Sequence, residues 1–384
     1  MTLMTTYAPA PVTFVRGAGS RLYDQDGKAY LDFVGGLAVT SLGHSHPLIA
    51  GALAEQATTL LHVSNLYGTS IAPDVAATLD RLIDAGPGKV FFCNSGAEAN
   101  ECAIKLARKW AGPGRFTVVS AYGSFHGRTL ATLHATGQPA KHEAFQPLPE
   151  GFTHVEWADI GALDRAVDPD SVAAVLLESI QGEGGVNVAP GQYLRDVRAL
   201  CNERGVLLML DEVQTGLGRT GRWFGFQHSG ISPDVVTMAK ALGNGVPIGA
   251  CWARADIADA FKPGDHATTF GGQPLATAAA RAVLRVMETE DVPARARRAG
   301  AYLRAGLESI PAITSTRGMG LLLAAELDGR ASAPVALAAL EAGLLVNPVT
   351  PTALRMAPSL LVTGDEVDEA IAVLVSVLGE AATQ

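Results

Sequence analysis

An aspartate and a lysine that end two apolar segments are the residues from which chemistry can be argued first. Asp211 ends the run 207–210, and Lys240 follows the run 235–239. Such runs predict buried strands, and open α/β sheets bind ligands at the carboxyl ends of their strands. Taken singly, Asp211 is better explained as the cap of a turn and Lys240 as a solvated side chain. Together they suit pyridoxal phosphate, which needs a lysine for its Schiff base and a carboxylate for its pyridine nitrogen.

That cofactor also needs a phosphate site, and segment 94–97 offers one. Its sequence, Asn-Ser-Gly-Ala, lies between an apolar run and a segment of helical periodicity. Unpaired amides and the helix dipole favour an anion at such a junction. Gly96 would let the backbone approach closely, and Ser95 would add a hydroxyl. A plain helix N-cap explains the same residues equally well, so this signal is weak by itself.

The elements that must position these residues alternate along the chain. Strands are predicted from apolar runs at 89–93, 116–119, 173–177, 206–210 and 235–239. Helical spacing over 97–109 and 193–203 predicts crossover helices. The alternation predicts an α/β fold with a mainly parallel sheet that is covered on both faces.

The composition changes after about residue 280, which predicts a smaller α+β domain. Its predicted elements are helices over 276–287 and 293–307, strands near 320–326 and 344–349, and a closing helix over 365–378 capped at Thr363. We predict three parts: an N-terminal segment (1–45) that joins the small domain, a large cofactor-binding domain (46–285) and a C-terminal small domain (286–384).

Composition and charge exclude several classes of protein. The chain has 384 residues, of which 48% are apolar and 17% charged, so disorder and coiled coil are excluded. The net charge of −9 argues against a nucleic-acid or anionic-membrane surface, and an anionic substrate would need local arginines. The four cysteines form no CxxC, and neither a signal peptide nor a membrane span is predicted. We therefore expect a cytoplasmic, reduced protein that binds small molecules.

Five blocks, in order along the chain, resemble the class III pyridoxal-phosphate aminotransferases. They are NSGAEAN at 94–100, FHGRT at 125–129, QGEGG at 181–185, DEVQTG at 211–216 and TTFGG at 268–272. The resemblance runs from about Phe14 to the C-terminus. It implies a fold type I enzyme with pyridoxal 5'-phosphate as cofactor. It also implies a homodimer whose active sites lie at the interface.

The resemblance implies a role for each cofactor-site residue. Lys240 would hold the cofactor covalently and move a proton, and Asp211 would keep the pyridine nitrogen protonated. Phe125 and Val213 would cover the two ring faces, with Gln214 near the ring hydroxyl. The remaining predicted cofactor-binding residues are Ser95, Gly96 and Ala97 at the phosphate, Glu212 beside Asp211, and Thr269 of the partner subunit at the phosphate.

Two arginines are the predicted substrate clamps. A guanidinium binds a carboxylate in a planar, bidentate manner. The resemblance implies that Arg128 takes the α-carboxylate of an ω-amino donor and the side-chain carboxylate of glutamate. Arg355 would take the α-carboxylate of glutamate, and Glu183 would pair with Arg355 when glutamate is absent. Thr268 would line the substrate entry. A surface salt bridge is the ordinary alternative for Arg355.

Leu37 bears on the identity of the donor. Ornithine δ-aminotransferases carry a tyrosine at the matching place, whereas an apolar residue better suits an acylated α-amine, as in acetylornithine or succinyl-diaminopimelate. Ornithine, 4-aminobutyrate and acylated lysine stay open as donors, and a non-catalytic cofactor-binding relative is the alternative from another class. The chain departs from the family pattern at Ser179, where proline is usual, and at Gly68, where a second tyrosine is common.

Two further features are interpreted as structural. His44 and His46 are spaced like metal ligands, but no carboxylate or third histidine accompanies them, so a turn before a helix is predicted. Cys93 ends an apolar strand and is interpreted as a small core residue rather than a nucleophile.

Overall fold

The protein is described by a computed structural model that covers residues 3–8 and 11–380. The strands are β1 (Phe14–Ala18), β2 (Arg21–Asp24), β3 (Ala29–Asp32), β4 (Gly88–Cys93), β5 (Thr117–Ala121), β6 (Phe152–Val155), β7 (Val172–Glu178), β8 (Ile180–Gln181), β9 (Asn187–Val188), β10 (Leu207–Asp211), β11 (Val235–Met238), β12 (Gly249–Arg254), β13 (Ile313–Met319), β14 (Leu322–Leu327), β15 (Leu344–Leu345), β16 (Asn347–Thr350) and β17 (Ala353–Met356). The helices are α1 (Gly35–Ala38), α2 (Pro47–Thr59), α3 (Ile71–Ile83), α4 (Gly96–Ala111), α5 (Leu130–Ala135), α6 (Ile160–Ala166), α7 (Gly191–Arg204), α8 (Ala255–Ala258), α9 (Pro274–Thr289), α10 (Val292–Glu308), α11 (Ser332–Glu341) and α12 (Gly364–Glu380).

A mixed sheet of seven strands, all within the described residues, forms the centre of the fold. The strand order is β4-β12-β11-β10-β7-β5-β6. Strands β11, β10, β7, β5 and β6 run parallel, and β12 is antiparallel to both of its neighbours. Every residue of β7, β10 and β11 is buried, because helices cover both faces of the sheet. The predicted α/β fold with a mainly parallel sheet is confirmed.

The register of the central strands brings polar residues together at one edge of the sheet. Asp211 ends β10 and pairs with Glu178 at the end of β7 and with Thr237 on β11. Lys240 comes two residues after the end of β11. The ends of three neighbouring strands therefore carry two carboxylates and an amine.

The predicted helices that flank this edge are also present. Helix α4 buries the predicted stripe of small and apolar residues, which includes Ala99, Cys102 and Leu106. Helix α12 starts at a reciprocal cap, in which the Glu366 amide donates to Thr363 Oγ1 and the Thr363 amide donates to the Glu366 carboxylate. Along the described residues no helix is long and apolar enough to cross a membrane.

Two smaller four-stranded sheets contain the ends of the chain. One has the order β13-β14-β17-β16, and the other has the order β1-β2-β3-β15. Strand β15 comes from the C-terminal part, yet it pairs in parallel with β3, so the N-terminal strands pack with C-terminal ones. The domain bounds at residues 45/46 and 285/286 stay a prediction.

Candidate active site

A cavity of about 410 Å³ opens at the carboxyl edge of the central sheet. Small-molecule sites commonly have volumes of this order, and switch points of α/β sheets are their usual place. The cavity is lined by Val39, Asn94, Ser95, Gly96, Ala97, Asn100, Phe125, His126, Gly127, Arg128, Glu178, Glu183, Asp211, Val213, Gln214, Ala239, Lys240 and Gly245–Ile248. Most of the residues that sequence reasoning selected therefore share one cavity.

The carboxylate of Asp211 is held rigidly at the cavity floor. Its Oδ2 accepts a bond of 2.8 Å from Asn100 Nδ2 and lies 2.9 Å from His126 Nδ1. Its Oδ1 accepts the amide of Val213 at 3.0 Å, so the predicted turn cap is also present. Thr237 Oγ1 donates to Asn100 Oδ1 at 2.7 Å and fixes the direction of that amide. With its carboxylate oriented by these contacts, Asp211 can accept a bond from a further N–H group in the cavity.

Lys240 presents its amine to the same cavity. Burial lowers the pKa of Lys240, an effect that the nearby carboxylates of Glu183 and Asp211 oppose and that Arg355 reinforces. A lysine with a lowered pKa is neutral over more of the working pH range, and only the neutral amine is a nucleophile.

The segment predicted to bind phosphate opens helix α4. Ser95 is the N-cap and accepts the amide of Glu98 at 3.2 Å through Oγ, so the plain N-cap interpretation is correct as well. A Cβ atom at Gly96 would lie 2.9 Å from both Cγ atoms of Val213, so glycine allows the loop to approach the strand end. The amides of Gly96 and Ala97 begin the helix at the cavity wall, where its dipole favours an anion.

A second buried carboxylate, that of Glu178, joins two loops of the site. Its Oε2 accepts the amide of Phe125 at 3.1 Å and its Oε1 accepts the amide of Gly182 at 3.3 Å. Burial, and then the charge of Asp211, raises the pKa of Glu178 well above the ordinary value for a glutamate. Glu178 therefore keeps its proton to a higher pH than an ordinary glutamate does.

Of the two predicted arginines, Arg128 lines the cavity, whereas Arg355 is buried behind Glu183 and Gln214, which line it. Arg355 Nη1 donates to Glu183 Oε1 at 2.6 Å and to Gln214 Oε1 at 3.3 Å, and Nη2 donates to Asn347 Oδ1 at 2.8 Å. Burial would raise the pKa of Glu183, but its contact with Arg355 outweighs this and lowers it. Arg128 lines the cavity, with its guanidinium carbon 5.6 Å from the ring centre of Phe125. The arrangement provides two cationic positions for carboxylates, and one of them is masked by an internal acid.

Comparisons with known proteins agree on one family. The Aminotransferase class-III family profile matches residues 3–378. The chain is 49% identical to an acetylornithine aminotransferase from Caldanaerobacter subterraneus subsp. tengcongensis, over 98% of this chain and 97% of that protein. It is 50% identical to one from Gloeobacter violaceus, over 97% and 94%. This chain belongs to the class III aminotransferases.

Solved structures place this aminotransferase among pyridoxal-phosphate enzymes of fold type I. The ornithine aminotransferase of Toxoplasma gondii ME49 superposes with a TM-score of 0.94 at 36% identity, covering 100% of this chain and 93% of that one. The acetylornithine aminotransferase of Elizabethkingia anophelis gives 0.87 at 33% identity, with 98% and 96% covered. Another structure of the Toxoplasma enzyme shows partial occupancy of PLP at its active site. The protein is a PLP-dependent transaminase.

The residues of the aminotransferase fit that cofactor. Asp211 offers an acceptor held by the side chains of Asn100 and His126 and by an amide, which suits a protonated pyridine nitrogen. Lys240 offers an amine of lowered pKa in the same cavity. The glycine-dependent N-terminus of α4 provides donors for a phosphate. Three independent requirements of the group are therefore met within one cavity.

Besides Arg355, three of the predicted site residues do not line this cavity. Glu212, the residue after β10, directs its carboxylate into the protein, where it accepts bonds from the hydroxyls of Ser179 and Thr215 and from two amides. Its role as a cofactor-binding residue stays a prediction. Thr268 and Thr269 line a different cavity at the surface, one that includes Leu66.

The N-terminal segment lines the cavity through Val39, whereas Leu37 is not among the lining residues and is 43% exposed. Leu37 belongs to α1, a turn in left-handed conformation. The bearing of Leu37 on the identity of the donor stays a prediction.

The residues interpreted as structural are so placed. The argument that no carboxylate accompanies His44 is wrong, because the fold brings the carboxylate of Asp32 next to its ring. The predicted turn before a helix is present, because His46 is the N-cap of α2. Burial raises the pKa of Cys93 to about 12, which makes its thiol a poor nucleophile.

Sequence reasoning missed three residues that complete the site. Asn100, His126 and Glu178 are buried polar side chains that contact Asp211 or the loops around it. Asn100 interrupts an apolar helical stripe, and Glu178 ends an apolar strand as Asp211 does. A polar residue at a predicted core position was therefore the available signal.

Proposed function

We propose that the enzyme transfers the δ-amino group of N2-acetyl-L-ornithine to 2-oxoglutarate, giving N-acetylglutamate 5-semialdehyde and L-glutamate, a step of arginine biosynthesis. The observation that carries the proposal is the pair of arginine positions, one of them masked by Glu183. A ping-pong transaminase must bind two unlike substrates in one site. Arg128 is available to a carboxylate of either substrate, whereas Arg355 becomes available only when Glu183 is displaced.

The side chains of this chain divide the work in the proposed reaction. When bound, the cofactor supplies a carbonyl carbon that takes up the amino group and a ring that accepts electron density. Lys240 would hold the cofactor through Nζ, and its amine would serve as the base for the proton of the donor carbon that bears the amine. Asp211 would accept the N–H of the ring nitrogen, and Asn100 and His126 hold the Asp211 carboxylate in place. Phe125 and Val213 line the same cavity and would pack against the ring, which would exclude water.

The choice of N-acetylornithine among ω-amino donors rests on two observations. Relatives at 46–50% identity over nearly the whole chain are named acetylornithine aminotransferases. The N-terminal wall of the cavity is the apolar Val39, which suits an acylated amine better than a charged one. The fold alone does not favour this donor, because ornithine aminotransferases superpose equally well.

We further propose that the active unit is a homodimer that shares its sites. Leu66, Tyr67 and Phe270 are apolar residues with 85%, 73% and 67% of their surface exposed, and exposed patches of this kind mark contact surfaces. Thr268 and Thr269 lie beside this patch rather than in the cavity of their own chain. In a dimer formed through this patch, Thr269 of the partner subunit is expected to reach the phosphate.

The donor is tested by the absorbance of the purified, cofactor-loaded enzyme. Donors are added one at a time without an oxo acid, and loss of the band of the lysine-bound cofactor is timed. N-acetylornithine is expected to remove the band faster than ornithine, 4-aminobutyrate, succinyl-diaminopimelate or acylated lysine, and 2-oxoglutarate is expected to restore it. A faster reaction with free ornithine would replace the proposal by a δ-aminotransferase. An enzyme without the band would point to a non-catalytic relative.

A further inference from the structure

Residues Gly35–Ala38 form one turn of left-handed helix beside the cavity. Their φ angles lie between +57° and +67°, and the last two, Leu37 and Ala38, lack the conformational freedom of glycine. The turn closes through bonds of 3.0 Å from the amides of Leu37 and Ala38 to the carbonyl of Val34. Non-glycine residues keep such a conformation only where the surroundings hold it, and they cluster at functional sites.

A carboxylate paired with a histidine holds the start of this turn. Asp32 Oδ1 accepts the amides of Val34 at 2.9 Å and Gly35 at 2.8 Å. Asp32 Oδ2 lies 2.7 Å from His44 Nε2. His44 is fixed in turn by backbone bonds in both directions with Gly19, at 3.0 and 2.8 Å. The histidine therefore orients the carboxylate, and the carboxylate orients the first two amides of the turn.

The turn packs against two segments that carry substrate-binding residues. A Cβ atom at Gly35 would lie 2.7 Å from the carbonyl oxygen of Ala357, which follows the strand of Arg355. Ala38 is buried in an apolar cluster with Val186, which lies in the same β8–β9 hairpin loop as Glu183. Val39 continues directly from the turn and lines the cavity. A change in the turn would therefore move the wall formed by Val39.

We propose that the His44–Asp32 pair is a positioning device for the amino donor. Acting through the left-handed turn, the pair sets where Val39 meets the donor and so sets the preference for an acylated over a free α-amine. The inference rests on the proposed function, because it names the class of donor. Glutamate is bound through its carboxylates by arginines on other elements, so its half-reaction depends less on this wall.

The first test removes the histidine. In His44→Ala, Asp32 loses a partner, and the ratio of kcat/KM for N-acetylornithine to that for ornithine is expected to fall about tenfold, the size of a misplaced apolar contact. The rate constant for the glutamate half-reaction is expected to stay at the wild-type value. His44→Gln keeps a donor for Asp32 and is expected to retain the ratio. Should H44A not fold, His44→Asn, whose amide is too short to reach Asp32, carries the same expectation.

A second test makes use of the backbone conformation. Glycine adopts left-handed angles at little cost, so adding Ala38→Gly to H44A is expected to restore the donor ratio to within about twofold of the wild-type value. Asp24 provides a matched control on the same sheet. It too accepts two backbone amides through Oδ1 and a side-chain donor, Tyr30, through Oδ2. Asp24→Ala is expected to leave the donor ratio unchanged.

Equal losses in the donor and glutamate half-reactions of H44A would show a merely structural role and overturn the inference. An unchanged donor ratio, or a defect that A38G fails to restore, would do the same. A wild-type enzyme that prefers free ornithine would refute the proposed function instead. The positioning role would then be judged by whether H44A slows the ornithine half-reaction more than the glutamate half-reaction.

Discussion

Replacing Glu183 by glutamine tests whether an internal acid competes with glutamate for Arg355. Arg355 makes four hydrogen bonds, and the one to Glu183 is both the shortest, at 2.6 Å, and the one with a charged acceptor. In E183Q the charged acceptor becomes neutral. Hydrogen bonds to charged groups contribute about 1.5–3 kcal/mol and neutral ones about 0.5–1.5, so the competing interaction weakens by roughly 1–1.5 kcal/mol. The glutamate concentration at half-saturation is therefore expected to fall about five- to tenfold.

The assay is the single-turnover absorbance change with glutamate, measured over a range of glutamate concentrations. N-acetylornithine, which has no second carboxylate for Arg355, is expected to keep its half-saturation concentration. Glu326→Gln is a matched control, because Glu326 pairs with Arg317 at 2.7 Å and its side chain is 27% exposed against 30% for Glu183. A half-saturation concentration for glutamate that is unchanged or raised in E183Q would refute the competition. A fall in both E183Q and E326Q would trace it to net charge instead.

Three further predictions concern Asn100, Ser179 and Lys240. Asn100→Leu removes a hydrogen bond to the carboxylate of Asp211 and is expected to weaken cofactor binding by about 1.5–3 kcal/mol. The measurement is the release of cofactor on dilution, and unchanged release would contradict the role of Asn100. Ser179→Ala removes a 2.6 Å donor from the buried carboxylate of Glu212 and is expected to lower the free energy of unfolding in urea by about 1–3 kcal/mol. Because burial lowers the pKa of Lys240, the rate at which the apoenzyme attaches the cofactor is expected to fall off at a lower pH than the rate at which free N-acetyl-lysine, with an amine pKa of about 10.4, reacts with the cofactor. Coincident pH profiles of the two rates would refute the shift.

The placement of Asp211 and Lys240 was predictable because it depends on local patterns. Uninterrupted apolar runs mark strands buried on both faces, and parallel strands end at one edge of a sheet. A polar residue directly after such a run must then lie at that edge, and both do. The same logic would have found Glu178, which ends β7. It does not extend to Glu212, which follows Asp211 directly but whose carboxylate is bonded inside the protein.

The partners of these residues were not predictable, because they depend on contacts between distant segments. Asn100 meets Asp211 across 111 positions, and no spacing rule connects a helix interior with a strand end. The neighbours of His44 in the chain include no carboxylate, and the one that it contacts, that of Asp32, lies 12 positions earlier. The left-handed turn was not predictable from the sequence for a different reason. Gly35 and Gly36 permit left-handed angles, whereas Leu37 and Ala38 disfavour them. The turn therefore depends on contacts from outside it, such as the bond from the Gly35 amide to Asp32.

The charges of the site explain how an acidic protein can bind dicarboxylate substrates. A net charge of −9 would repel them if it acted at long range, but at physiological ionic strength charges are screened beyond about 8 Å. The cations expected to decide binding are therefore the local ones, Arg128 in the cavity and Arg355 behind Glu183. Glu178 keeps its proton to higher pH than an ordinary glutamate, and Glu183 is bound to Arg355, so neither opposes a carboxylate freely. Under the proposed function, glutamate differs from the amino donor in being able to displace Glu183 from Arg355, so this internal ion pair is expected to distinguish glutamate from the donor, while the wall formed by Val39 distinguishes one donor from another.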